Sequence, residues 1–139
     1  MRTINEIIIH CSATPEGREV GVETIRKWHK QRGFSDIGYH YIIHLDGMVE
    51  TGRPVSQPGA HCKDRNANSI GVCYIGGTDL QGKPKDTRTE AQKSAMLTLV
   101  RFLMKQYNLT AEQIHGHNEY ANKACPSFNV RLWRKEVFG

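Results

Sequence analysis

Ile7-Ile8-Ile9-His10, close to the start of the sequence, is a continuous β-branched run that ends on an imidazole. With no polar alternation, such a run belongs to a short strand buried on both faces, which requires chain packed on each side of a sheet. His10 then sits at a strand end, a place where functional side chains collect. Ser69 to Ile75 repeats the pattern and predicts a second buried strand, left through the turn-forming pair Gly76-Gly77.

Between these strands, Val22, Ile25 and Trp28 mark a helix over Val22 to Arg32, closed by Gly33. Residues 39–45 are rich in β-formers, and Asp46-Gly47 turns them back into Met48-Val49-Glu50-Thr51, a β-hairpin. Pro54 to Asn68 has no period and reads as a long loop, the kind that often carries function. Beyond a polar stretch ending at Asp86, Thr89-Glu90-Ala91-Gln92 fits a capping box. Met96, Leu99, Val100 and Leu103 then continue a helix to Tyr107. Ile114 to Asn118 reads as a short strand or extended segment, and Val130 to Val137 as a C-terminal helix. The expectation is an α/β fold, one domain over residues 1–139, with a mixed central β-sheet flanked by helices.

Composition agrees. A chain of 139 residues accommodates one domain, and 38% apolar with 24% charged residues excludes both a disordered chain and a membrane-protein composition. Three isoleucines fall short of the ~7–15-residue apolar region of a signal peptide. No run approaches the ~20 apolar residues of a transmembrane helix. Cytoplasmic synthesis is expected, and with it reduced thiols at Cys11, Cys62, Cys73 and Cys125. The net charge of +5 is spread along the chain without a basic run, so no nucleic-acid partner is expected; it suits approach to an anionic surface.

The chemistry concentrates in three places. His10 ends the first strand, His117 lies in His115-Gly116-His117-Asn118-Glu119, and Cys125 opens Cys125-Pro126. Two imidazoles and a thiolate make a three-ligand zinc set with a fourth position left for water, the arrangement of a catalytic site. The ordinary alternatives are a strand-end histidine, a turn histidine and an inert buried thiol. His115 competes with His117, two residues away on the same face of an extended segment. Glu119 reads as an exposed turn carboxylate, with a supporting partner of a ligand or a general base as the alternative, and His29 as a surface or packing residue. Asn68 reads as a loop cap, and Cys62 as the most accessible thiol. His40 and His44 alternate with Tyr39 and point away from its side.

Over residues 6–135 the sequence resembles the zinc-dependent N-acetylmuramoyl-L-alanine amidases, a family that includes phage lysozymes of the T-seven type and the peptidoglycan recognition proteins. The matching motifs are His10-Cys11-Ser12-Ala13-Thr14, Ile25-Arg26-Lys27-Trp28-His29-Lys30 and Gly38-Tyr39-His40-Tyr41-Ile42-Ile43. Asn68-Ser69-Ile70-Gly71-Val72 and Lys123-Ala124-Cys125-Pro126-Ser127-Phe128 follow in order. The resemblance implies one zinc per chain on His10, His117 and Cys125, catalytic roles for Tyr39 and Lys123, and a substrate contact at His61. It implies cleavage of the bond between N-acetylmuramic acid and L-alanine in bacterial peptidoglycan, after release or delivery to the wall, and a monomer is expected. Two other functions occur on this fold, a non-catalytic peptidoglycan receptor and an inhibitor of phage RNA polymerase. Receptors that have lost catalysis replace the cysteine, and the inhibitor uses a longer basic N-terminal segment than this sequence shows. Cytoplasmic recycling amidases carry aspartate where Cys125 stands.

Overall fold

The computed structural model describes residues 2–139. The buried run is the strand β1 (Glu6–Cys11), one residue longer at its end than expected, so His10 lies within the strand rather than at its last position. A brief β2 (Thr14–Pro15) leads to helix α1 (Val22–Gln31), which stops at Arg32 and turns through Gly33 in the left-handed region at φ 95°. The hairpin is β3 (Tyr41–Ile43) with β4 (Val49–Thr51), shorter than its β-forming sequence, so that Tyr39 precedes the strand. The second buried run is β5 (Ser69–Tyr74), followed by a two-residue β6 (Gly77–Thr78). Helix α2 spans Glu90–Tyr107, β7 spans Ile114–Gly116, and helix α3 spans Val130–Phe138.

Five strands form one sheet in the order β4-β3-β5-β1-β7. The β3-β5, β5-β1 and β1-β7 pairs are parallel and only the hairpin is antiparallel, so the sheet is mixed. The small β2-β6 pair, which the sequence reading lacks, forms just past the ends of β1 and β5. Its strands have two residues each, too few for any periodic signal.

Alternation along the central strands separates core from site. Ile7, Ile9 and Cys11 of β1 and Ile70, Val72 and Tyr74 of β5 face α2 and α3, packing on Met96, Val100, Leu103, Val130 and Trp133. Each such fully buried side chain stabilises the fold by about 1.5–3 kcal/mol. The opposite face carries Ile8 and His10 from β1 and the small residues Ser69, Gly71 and Cys73 from β5. Helix α1 covers part of it through Val22 and Ile25, which pack on Ile37, Ile42 and Ile75. The rest of that face is left to the loop before β5 and to a cleft.

The capping box forms as the sequence predicts. Thr89 Oγ1 accepts from the Gln92 backbone N–H, and Gln92 Oε1 accepts from that of Thr89. The buried Gln92 amide then donates to the carbonyls of Ile43 and Ile75, at the ends of β3 and β5. One side chain therefore both starts α2 and ties it to the sheet.

Candidate functional site

The cleft on the small-residue face has a volume of about 700 Å³. His10, His117 and Cys125 meet at its floor, with their ligand atoms all within 4.8 Å of one another. Each arrives from a different element. His10 comes from β1, His117 starts a 3-10 turn (His117–Glu119) directly after β7, and Cys125 lies in the loop before α3. His10 Nδ1 faces the Cys125 sulfur at 3.7 Å, and the Cys11 backbone N–H donates to that sulfur at 3.2 Å.

That turn separates the two competing histidines. Because the chain leaves the extended conformation at His117, His115 does not share its direction and instead binds Glu119 through Nδ1 at 2.9 Å. Glu119 is not the exposed turn carboxylate expected from sequence. Its side chain is 13% exposed, accepts from the Gly116 N–H at 2.7 Å and is bridged by Arg131, so it braces the residue preceding His117. Glycine at 116 conceals this brace from a one-dimensional reading.

Burial, followed by the neighbouring His61, His117 and Lys123, holds His10 well below the ordinary imidazole value. His117 is lowered by burial and by Lys123. Both are therefore neutral near pH 7 and have a lone pair to offer. The Cys125 thiol is raised by its interaction with the Cys11 side chain and by its burial. A cation that takes this sulfur as thiolate must displace its proton.

Tyr39 stands between two imidazoles, with ring centroids 5.1 Å from His10 and 5.2 Å from His29. Burial raises its phenol well above the ordinary value, so it keeps its proton and can donate. His29, read from sequence as surface or packing, is buried and lines the cleft, with Nδ1 accepting from the Gly38 N–H at 2.8 Å. It anchors the residue before Tyr39. Lys123 is exposed at the cleft and has no carboxylate partner among the described residues. Among the described residues, the cleft is lined by three cations, Arg32, Lys63 and Lys123, and by no carboxylate.

His61 lies in the predicted loop with its ring directed inward. It is 8% exposed, with Nδ1 at 2.8 Å from His10 Nε2 and Nε2 at 3.1 Å from Ser69 Oγ. Cys62 is buried, against the expectation of an accessible thiol, because the Asn66 side chain folds the loop by accepting from the N–H groups of both His61 and Cys62. All four cysteines are free thiols. Asn68 ties the loop to the Thr3 carbonyl and does not line the cleft. His40 and His44 stay out of the metal-capable group, but not by pointing away from Tyr39: Tyr39 precedes β3 and packs with Ile42 on the α1 side, where the His40 ring lies 5.8 Å from that of His61. His40 accepts from the Gly71 N–H, and His44 is held between Glu19 and Glu50.

Residues 1–128 match the family model described as N-acetylmuramoyl-L-alanine amidase. The endolysin of Escherichia phage T7 is 46% identical over 127 residues, 91% of this chain and 83% of that protein. The endolysin of Klebsiella phage KP32 is 45% identical over 129 residues, 93% of this chain and 84% of that one. Among solved structures, the N-acetylmuramoyl-L-alanine amidase LysC from Clostridium intestinale superposes with a TM-score of 0.82 at 29% identity, covering 98% of this chain and 83% of its own. Wild-type Drosophila PGRP-LB gives 0.77 at 26% identity, with coverage of 97% and 80%. On a family match over nearly its whole length, and on endolysins of this similarity, the chain belongs to the N-acetylmuramoyl-L-alanine amidase family and is an enzyme of that activity.

Proposed function

We propose that the amidase works with one zinc ion per chain, held by His10, His117 and Cys125, and that its substrate is bacterial peptidoglycan. The observation that carries the metal assignment is the convergence of two neutral imidazoles and a thiol within 4.8 Å at the floor of the cleft. The donor chemistry fits. Tetrahedral zinc with typical Zn–N and Zn–S bonds separates a nitrogen from a sulfur by ~3.6 Å, and His10 Nδ1 lies 3.7 Å from Cys125 Sγ. Three protein ligands leave one position open, as hydrolysis requires. Zinc held there supplies Lewis acidity toward the scissile carbonyl and a nucleophile at neutral pH.

The protein's own groups do the rest. Tyr39, which retains its proton, donates a hydrogen bond toward the reacting carbonyl, and the Lys123 ammonium faces the negative charge that develops there. Trp28 and Phe34 give the cleft apolar walls against which a sugar or methyl group can pack. The three lining cations suit a stem peptide that carries carboxylates.

We infer that the protein acts on the wall after release from the cytoplasm, which its endolysin relatives support, and that it does so as a monomer. No helix among the described residues is long and apolar enough to cross a membrane. Incubation of the purified protein with peptidoglycan is expected to release new L-alanine amino termini, with one zinc by metal analysis and no turnover after chelation. Full turnover by verified metal-free protein overturns the zinc assignment, and new reducing sugar ends without amino termini overturn the substrate bond.

A further inference from the structure

We propose that His61 is a positioning residue for His10: it accepts the Nε2–H of His10 on its own Nδ1 and gives its Nε2–H to Ser69, which leaves His10 Nδ1 bare and facing His117 and Cys125. The assignment rests on the metal reading above and replaces a substrate contact at His61. A neutral imidazole has one donor and one acceptor, so the 2.8 Å contact between His10 Nε2 and His61 Nδ1 admits only two proton arrangements. The reverse arrangement puts the proton of His10 on Nδ1, the nitrogen 3.7 Å from the Cys125 sulfur, where no cation can then bind. Ser69 Oγ, 3.1 Å from His61 Nε2, accepts the next hydrogen bond and completes the relay. Ligating histidines characteristically give their other N–H to such a partner.

The surroundings are shaped to the ring. A Cβ on Gly71 or on Gly59 would lie 2.7 Å from His61 ring atoms, so glycine at both positions is what lets the imidazole enter. The loop holds its end through Asn66, which accepts from the His61 N–H at 2.9 Å. With one ring nitrogen on His10 and the other on Ser69, the His61 ring has no free nitrogen for a substrate.

The test is a zinc titration against a competing chelator on the full chain, with 15N NMR of the His10 ring in the zinc-loaded protein. His61→Leu removes the acceptor and is expected to weaken zinc binding by about 10–100-fold, the usual effect of losing such a partner. His61→Asn, whose amide oxygen can take the place of Nδ1, is expected to stay within a few-fold of the native affinity. Should His61→Leu not fold, Ser69→Ala, which leaves His61 in place, is expected to weaken binding by a smaller factor, and native affinity there counts against the proposal. The native spectrum should show His10 protonated at Nε2. Native zinc affinity in His61→Leu together with a raised KM would overturn the proposal in favour of a substrate contact. Equal weakening in His61→Leu and His61→Asn would overturn it in favour of packing. His117→Ala and Cys125→Ser separate the two levels: retention of zinc by both overturns the metal reading and this proposal with it, whereas loss in both beside native binding in His61→Leu overturns the His61 role alone.

Discussion

The backbone N–H of Cys11 donates to the sulfur of Cys125 at 3.2 Å, although the two residues are 114 positions apart in the chain. The strand that carries His10 thus also offers a donor to the thiol, and this N–H opposes, without outweighing, the rise that the Cys11 side chain and burial impose on it. With zinc bound, Cys125 should resist alkylation, and after chelation it should react. Mass spectrometry with and without chelator reads this at each thiol. Cys11, Cys62 and Cys73, all buried, should stay slow in both conditions. Equal labelling of Cys125 in both would contradict its role as a ligand.

Tyr39 and Lys123 stand beside the ligand group without belonging to it. Tyr39→Phe and Lys123→Ala should therefore keep stoichiometric zinc and lose turnover, each by ~10²–10³ in kcat, the usual cost of an oxyanion-type donor. Steady-state kinetics on defined muropeptides with parallel metal analysis decides this. Loss of zinc in either variant would move that residue into the metal shell.

His44 Nδ1 and Nε2 contact Glu19 and Glu50 at 2.8 and 2.7 Å. Burial opposes its charge, but the hydrogen bonds to the two carboxylates outweigh it and raise the imidazole above its ordinary value. A raised folded-state value means that this contribution is complete below the unfolded value of about 6.5 and is lost as pH rises through the higher folded value. The Tm difference between the native protein and His44→Gln should accordingly shrink between pH 6 and 8. A difference that grows over that range would reverse the sign of the argument.

Gln92→Ala should remove the side-chain donor on the Ile75 carbonyl and the one that joins the Ile75 N–H on the Ile43 carbonyl, and it also breaks the capping box of α2. Stranding a buried carbonyl costs about 1–3 kcal/mol, and loss of the cap adds about 1 kcal/mol. Urea unfolding reads the sum. Thr89→Ala, which spares both carbonyls, should cost less.

Local signals made much of this legible in the sequence. The β-branched runs of β1 and β5, the box at Thr89 and Gln92, and Gly33 after α1 each act within a few residues, and each appears where its chemistry places it. His10, His117 and Cys125 were found by motif, and the structure gathers them. What escaped depends on folding across distance. The inward turn of His61 and the burial of Cys62 follow from one Asn66 side chain and from two glycines that only the fold brings to the ring. Glu119 was misread because its partners, the Gly116 backbone and Arg131, carry no mark of the pairing in the sequence.

The parallel order β5-β1-β7 has a consequence for timing. β1 is made first yet sits between two strands that arrive much later, so it cannot acquire its second neighbour until Ile114–Gly116 has left the ribosome. His10 is therefore synthesised early and waits for partners at positions 117 and 125. Chains interrupted anywhere before that segment carry the first strand, the tyrosine and most of the cleft wall but no assembled centre. On the proposed metal site, hydrolytic competence therefore waits for the docking of the segment after β7.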